Sequence, residues 1–348
     1  MDLKLEQEME VFAIQARIET LKALGHLGFG HVGGAFSIAD LVAVLYNGVM
    51  KVDPKNPAWK DRDYLVCSKG HAGPILYSTL AMKGYFPMEN LLTINKPGTT
   101  LPSHCDRNLT PGIDMTTGSL GQGSSMAVGI ALGNRMDGRD NYTYLILGDG
   151  EIQEGQVWEA ASFAAQKKLN HLIAFVDWNK KQLDGPIVEI NDFSNVAQRF
   201  EAFGWNAVTV NGHDVEAIYT AIEEAKKSVD KPTCIVLDTV KGKGCSFAEN
   251  AASNLSLIHI WGLRGLWSTP GNPGLSKQGF WGRPSLRRYT CLLYTSPSAK
   301  WAPRITCANA SASPRSTLWR RLKRPSSARS KYFPDSRGGN RFAWALPF

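Results

Sequence analysis

The chain has 348 residues, a hydrophobic fraction of 43% and a formal net charge of +8, which suits a soluble globular protein of one large or two ordinary domains. No apolar run reaches the length of a membrane span, and the charged start Met1-Asp2-Leu3-Lys4-Leu5-Glu6 lacks the apolar core of a signal peptide, so a cytoplasmic protein without membrane association is expected. The charge is unevenly placed: residues 255–348 carry 16 Lys and Arg against one acid, Asp335, which leaves 23 basic and 30 acidic residues in 1–254. The six cysteines, Cys67, Cys105, Cys234, Cys245, Cys291 and Cys307, form no Cys-x-x-Cys pair, so neither a zinc site nor a disulfide framework is expected.

Residues 4–24 place Leu5, Met9, Phe12, Ile14, Ile18, Leu21 and Leu24 at helical spacing. A Gly-rich break, Gly25 to Gly34, follows. Ser37 with Asp40 has the form of a capping box opening a helix over Ile38–Tyr46. Tyr64-Leu65-Val66-Cys67 reads as a short buried strand, and His71 opens a helix through Leu80. Further on, strands are expected at Tyr144–Leu147, Leu172–Val176, Ala207–Val210 and Cys234–Leu237, alternating with helices over 155–168, 194–203 and 214–228. Strands that alternate with helices and are apolar on both faces imply an α/β fold, a parallel sheet flanked by helices on both faces. Ligands of such sheets sit at the carboxyl ends of the strands.

Gly148-Asp149-Gly150 directly follows one buried strand, and Asn179, thirty residues after Asp149, follows the next. A βαβ crossover brings those two strand ends together, so a carboxylate and an amide oxygen can share one hard cation with phosphate oxygens. The triplet alone is also a common turn; the pairing is far more specific. Together they resemble the thiamine-diphosphate fingerprint, and Gly148-Asp149-Gly150-Glu151-Ile152-Gln153-Glu154-Gly155 resembles its transketolase form. The related deoxyxylulose-phosphate synthases typically lack that Gln-Glu-Gly. Four further motifs are similar to transketolase motifs in order: Gly30-His31-Val32-Gly33-Gly34, with Val32 where proline is more usual, Ser68-Lys69-Gly70-His71-Ala72, Pro102-Ser103-His104, and Thr116 to Gly123. Lys241-Gly242-Lys243-Gly244 resembles the basic loop near the cofactor. Singly, each has a plainer reading: a packed histidine, a tight helix entry, solvated lysines. In family order and spacing, coincidence becomes a poor account of them.

The resemblance implies thiamine diphosphate and Mg2+ as cofactors. It assigns Asp149, Asn179 and the Lys181 carbonyl to the metal, and His71, Gly148 and Gly150 to the diphosphate side. It gives the Gly118-Ser119-Leu120 backbone to the aminopyrimidine, Lys241 to the cofactor, and Glu154 to organising the site or a partner contact. His31 and His104 are its substrate-side catalytic histidines, hydrogen-bonding sugar hydroxyls and a developing alkoxide. His26 and His171 read as structural and His213 is uncommitted. The implied reaction moves a two-carbon ketol unit from a ketose phosphate to an aldose phosphate, in the pentose phosphate pathway or a specialised sugar route.

A transketolase also needs a pyrimidine-binding domain, whose glutamate activates the cofactor, and nothing after residue 254 resembles it. The resemblance thus implies an N-terminal subunit that works with a C-terminal partner, as a homodimer or heterotetramer; a truncated, inactive cofactor-binding fragment is the alternative. The domain is expected over 1–254 and a basic Arg/Ser/Pro/Trp-rich tail over 255–348. The tail holds six of the ten tryptophans and nine of the eighteen prolines, keeps no helical or strand period, and is expected to be disordered or foreign to the protein. Leu257–Trp261 and Cys291–Thr295 have the look of translated adapter sequence, as an out-of-frame reading would give. A family histidine expected soon after Glu249-Asn250 is missing, and His259, within the anomalous stretch, is not given its role. Nucleic-acid binding through the basic tail rests on charge alone and is not favoured.

Overall fold

The computed structural model describes residues 1–249. The expectations for 255–348 lie outside them. Among the described residues, ten helices alternate with five strands: α1 (Leu3–Leu27), α2 (Gly33–Phe36), α3 (Ala39–Val44), β1 (Tyr64–Cys67), α4 (Gly73–Lys83), α5 (Gln122–Met136), β2 (Thr143–Gly148), α6 (Gly155–Gln166), β3 (Leu172–Trp178), α7 (Ile187–Ile190), α8 (Val196–Ala202), β4 (Asn206–Asn211), α9 (Val215–Ala225), β5 (Thr233–Asp238) and α10 (Ser246–Glu249). The strands form one sheet in the order β1-β2-β3-β5-β4, and every neighbouring pair is parallel.

Side chains along a strand alternate between faces, so a strand covered on both sides is apolar throughout. Leu65, Tyr144, Ile146, Ile173, Phe175, Ile235 and Leu237 pack in one core with residues of α1, α3, α4 and α9. Their neighbours Val66, Leu145, Leu147, Ala174, Val176, Cys234 and Val236 pack in a second core with α5, α6 and α8. The edge strand β4 departs from this pattern: Val208 is 40% exposed.

Three local features depart from or add to the expectations. The buried face of α1 is built from Met9, Ala13, Ala16, Thr20, Ala23 and Leu24, while Ile14 and Ile18 are exposed. Small residues let α1 approach α4 closely enough for Thr20 Oγ1 to donate to Ser78 Oγ at 2.8 Å. Ser37 and Asp40 form no capping box, since α3 starts after Ile38 without a side-chain cap, and both side chains are committed elsewhere. Third, α5 runs fifteen residues through Gly123, Gly129 and Gly133, which depress helix propensity and mask it in the sequence. Gly123 is required by contact: a Cβ there would lie 2.4 Å from Ser68 Oγ and 2.8 Å from Ser68 Cα.

Candidate cofactor site

The carboxyl ends of β1, β2 and β3 lead into His71, Asp149 and Asn179, three of the polar residues that the sequence singled out. Asp149, just past β2, is 3% exposed. Its Oδ1 accepts from Gly150 N at 2.7 Å and its Oδ2 from Lys181 N at 3.2 Å. Asn179, just past β3, offers Oδ1 to the same Lys181 N–H at 3.2 Å. Lys180 between them has φ +66, a left-handed turn uncommon for a non-glycine residue. Lys241 Nζ donates to the Lys181 carbonyl at 2.8 Å. A carboxylate, an amide oxygen and a backbone carbonyl from two strand ends and one loop are therefore gathered together.

Burial first, then the Asp177 charge, pushes the Asp149 carboxyl up to about 7. Among the described residues no Lys, Arg or His forms an ion pair with it. The Lys241 and Lys69 charges offset that burial only in part, and a cation among these hard oxygen donors would offset it further. The donor set fits magnesium, which takes oxygen ligands and shares its shell with phosphate.

Beneath the oxygens lies a hub that sequence reasoning missed. Asp177, fully buried near the end of β3, accepts from Ser37 Oγ at 2.6 Å, Lys69 Nζ at 2.5 Å, Asn179 Nδ2 at 2.8 Å and Thr239 Oγ1 at 2.5 Å. Burial alone would raise its carboxyl; the Lys69 charge and these hydrogen bonds outweigh it and hold the group below the usual range. The bond from Asn179 Nδ2 fixes the amide so that Oδ1 faces Asp149 and Lys181. Lys69 Nζ also donates to the Gly34 carbonyl at 2.8 Å. Glu151 is a second missed residue: buried, it accepts from Ser68 Oγ at 2.5 Å, Gly121 N at 2.7 Å and Gly148 N at 3.0 Å. It ties the Gly118–Gly121 loop to the turn at Gly148–Gly150. The available signal was the charge itself, since Lys69, Glu151 and Asp177 each stand at the end of a buried strand or one turn beyond.

His31 lies between the other two candidate histidines, its ring centroid 5.8 Å from His71 and 5.5 Å from His104, edge to face in both cases. Burial, then the charge of Lys69, holds the His71 ring well below its ordinary value. Burial, then His31, lowers His104. Both are therefore neutral near pH 7. Gly118, at φ +130, leaves room for His104: a Cβ there would lie 2.7 Å from the ring. Ser119 is exposed, and the Leu120 carbonyl accepts from Gln156 Nε2 at 2.9 Å. Lys241 is buried, which lowers its ammonium. Glu154 stands apart from this cluster: it is exposed at the start of α6, near Gly121. Its carboxylate is thus not gathered with the oxygens of Asp149, Asn179 and Lys181.

An open parallel sheet with its polar residues at the carboxyl ends of adjacent strands defines an α/β binding domain. The chain belongs to the transketolase family: residues 9–256 match the family described as "Transketolase, thiamine diphosphate binding domain". It is 55% identical over 245 residues to the 6-deoxy-6-sulfo-D-fructose transketolase subunit SqwG of Clostridium sp. (strain MSTE9), covering 70% of this chain and 89% of that one. It is 38% identical over 223 residues to an apulose-4-phosphate transketolase subunit of Phocaeicola vulgatus, covering 64% of this chain and 79% of that one. Among solved structures, the transketolase of Campylobacter jejuni superposes with a TM-score of 0.67 at 33% identity, covering 73% of this chain and 41% of that one. The chain thus spans most of the two subunits, and well under half of the solved enzyme.

Proposed function

We propose that the chain is the cofactor-binding subunit of a two-subunit transketolase, transferring a two-carbon ketol unit from a ketose phosphate to an aldose phosphate. The observation that carries this reading is the meeting of Asp149, Asn179 and the Lys181 carbonyl beside Gly150. Asp149, Asn179 and Lys181 would hold Mg2+, while His71 and the Gly150 N–H would meet the diphosphate. Gly118, Ser119 and Leu120 would line the aminopyrimidine through their backbone. Thiamine diphosphate, when bound, supplies an ylid that acts as nucleophile and electron sink. His31 and His104 would do the protein's share on the substrate side: imidazoles can donate to a developing alkoxide and accept from sugar hydroxyls.

The lengths of the two subunit relatives support a partner polypeptide carrying the pyrimidine domain, in a dimer or heterotetramer. The relatives' names suggest 6-deoxy-6-sulfofructose and apulose 4-phosphate as donors to try beside pentose-pathway sugars. No described helix is long and apolar enough to cross a membrane, and cytoplasmic sugar metabolism is the proposed setting. We place the native domain within 1–254 and treat 255–348 as foreign; an intact frame confirmed by independent DNA reads would sink that assignment. The activity is tested by assaying the chain with the product of the adjacent gene, Mg2+ and thiamine diphosphate. Ketol transfer by the pair is expected, and its absence with every donor would overturn the reading.

A further inference from the structure

We infer that His213 is a positioning residue for the cofactor site, acting on Lys241 through the loop 239–244; the inference rests on the cofactor reading above. His213 lies between β4 and α9, on elements that contribute nothing else to the site. Its Nδ1 is 2.8 Å from Asp40 Oδ2, and its Nε2 accepts from Val240 N at 2.8 Å. A backbone N–H can only donate, so Nε2 must present its lone pair and the ring proton must sit on Nδ1, donated to Asp40. Both partners thus select one neutral tautomer.

Asp40 is itself fixed. Arg17 reaches it from α1 with two bonds, Nη1 to Oδ1 at 2.8 Å and Nη2 to Oδ2 at 2.6 Å. The three side chains are only 10–13% exposed. Burial would raise the Asp40 carboxyl, but the His213 and Arg17 bonds outweigh it and keep the group ionised.

The effect falls on one loop. His213 holds its start at Val240, Gly242 N donates to the Gly33 carbonyl at 3.0 Å, and a Cβ on Gly244 would lie 3.3 Å from Arg17 Cδ. Lys241 sits between the first two anchors, and its ammonium reaches the Lys181 carbonyl beside Asp149. A lysine ammonium on a four-carbon stem points reliably only where its backbone is held. The histidine does this without touching Asp149, Asn179 or Lys181.

The test uses the full chain in saturating Mg2+, comparing His213→Phe, His213→Gln, Lys241→Met and the double variant His213→Phe/Lys241→Met. Two quantities are read well below every unfolding midpoint: thiamine diphosphate affinity by calorimetric titration, and amide exchange at Val240 without cofactor. His213→Phe should expose the Val240 amide and weaken affinity about tenfold. His213→Gln, whose side chain can accept from Val240 and donate to Asp40, should stay within about twofold of wild type. The double variant should bind no more weakly than Lys241→Met alone, because both changes act through one ammonium. Additive losses, a protected Val240 amide in His213→Phe, or no recovery in His213→Gln would each overturn the inference. A wild-type chain that binds no thiamine diphosphate either alone or with its partner polypeptide would overturn the cofactor reading instead, and Val240 exchange would still decide whether His213 holds the loop.

Discussion

Asp177 shows how a residue that need not touch a cofactor can decide whether a site exists. Its carboxylate carries four hydrogen bonds in a fully buried position, with Lys69 as counter-charge. Removing one member of such a pair strands the other, so Asp177→Ala should lower stability by about 3–5 kcal/mol. Urea unfolding followed by circular dichroism measures this, and a loss below about 1 kcal/mol would contradict the account. His71 makes a second prediction, with a sign. The folded protein holds it neutral well below its ordinary value, while the unfolded chain protonates it near pH 6.5. Below that pH the unfolded chain binds more protons, so the His71 contribution to stability falls as pH drops from about 6.5 toward the folded value. Stability measured from about pH 7 down to about pH 5.5 should fall more steeply in wild type than in His71→Gln. Equal slopes would exclude the effect.

At the scale of elements, Gly123 makes the sharpest case. The Ser68 backbone leaves no room for a methyl group, so Gly123→Ala should destabilise by about 1–3 kcal/mol despite alanine's better helix propensity. A thermal midpoint equal to wild type would show that α5 can move. The same contact bears on what the sequence could and could not reveal. Strands β1, β2, β3 and β5 were legible because a short continuous apolar run between turn residues suits a strand buried on both faces. The helix α5 was obscured by its glycines, of which only Gly123 is required by a close contact, and the true buried face of α1 by its alanines, which carry little hydrophobic signal. Asp149 and Asn179 were legible by their place after consecutive strands, and the three histidines by motif. Lys69, Asp177 and Glu151 were not, since partners such as Lys69 and Asp177 lie 108 residues apart and meet only once the sheet has formed.

For the whole molecule, the site is a place where ligand binding and folding are linked. A ligand held by the folded chain alone stabilises it by about 2.7 kcal/mol at a hundred times its dissociation constant. At about 2–4 °C per kcal/mol for a domain of this size, thiamine diphosphate with Mg2+ should therefore raise the thermal midpoint by roughly 5–11 °C, and a chelator should reverse the rise. Asp149→Ala should abolish the shift. A midpoint indifferent to cofactor and metal together would argue against the site.

The Lys69–Asp177 pair bears on how such a sequence can drift over evolutionary time. Foldedness alone does not demand a buried ion pair, since an apolar couple of similar volume is often as stable or more so. Replacing both members, as in Lys69→Met with Asp177→Leu, should thus cost less than losing Asp177 alone when selection asks only for soluble protein, although Ser37, Asn179 and Thr239 lose an acceptor. The same double change removes the acceptor that orients the Asn179 amide, so it should vanish when selection asks for cofactor retention. Deep sequencing of a library randomised at these two positions, sorted first for solubility and then for thiamine diphosphate binding, would measure the difference. Identical survivors in both sorts would mean that the pair is kept for folding after all.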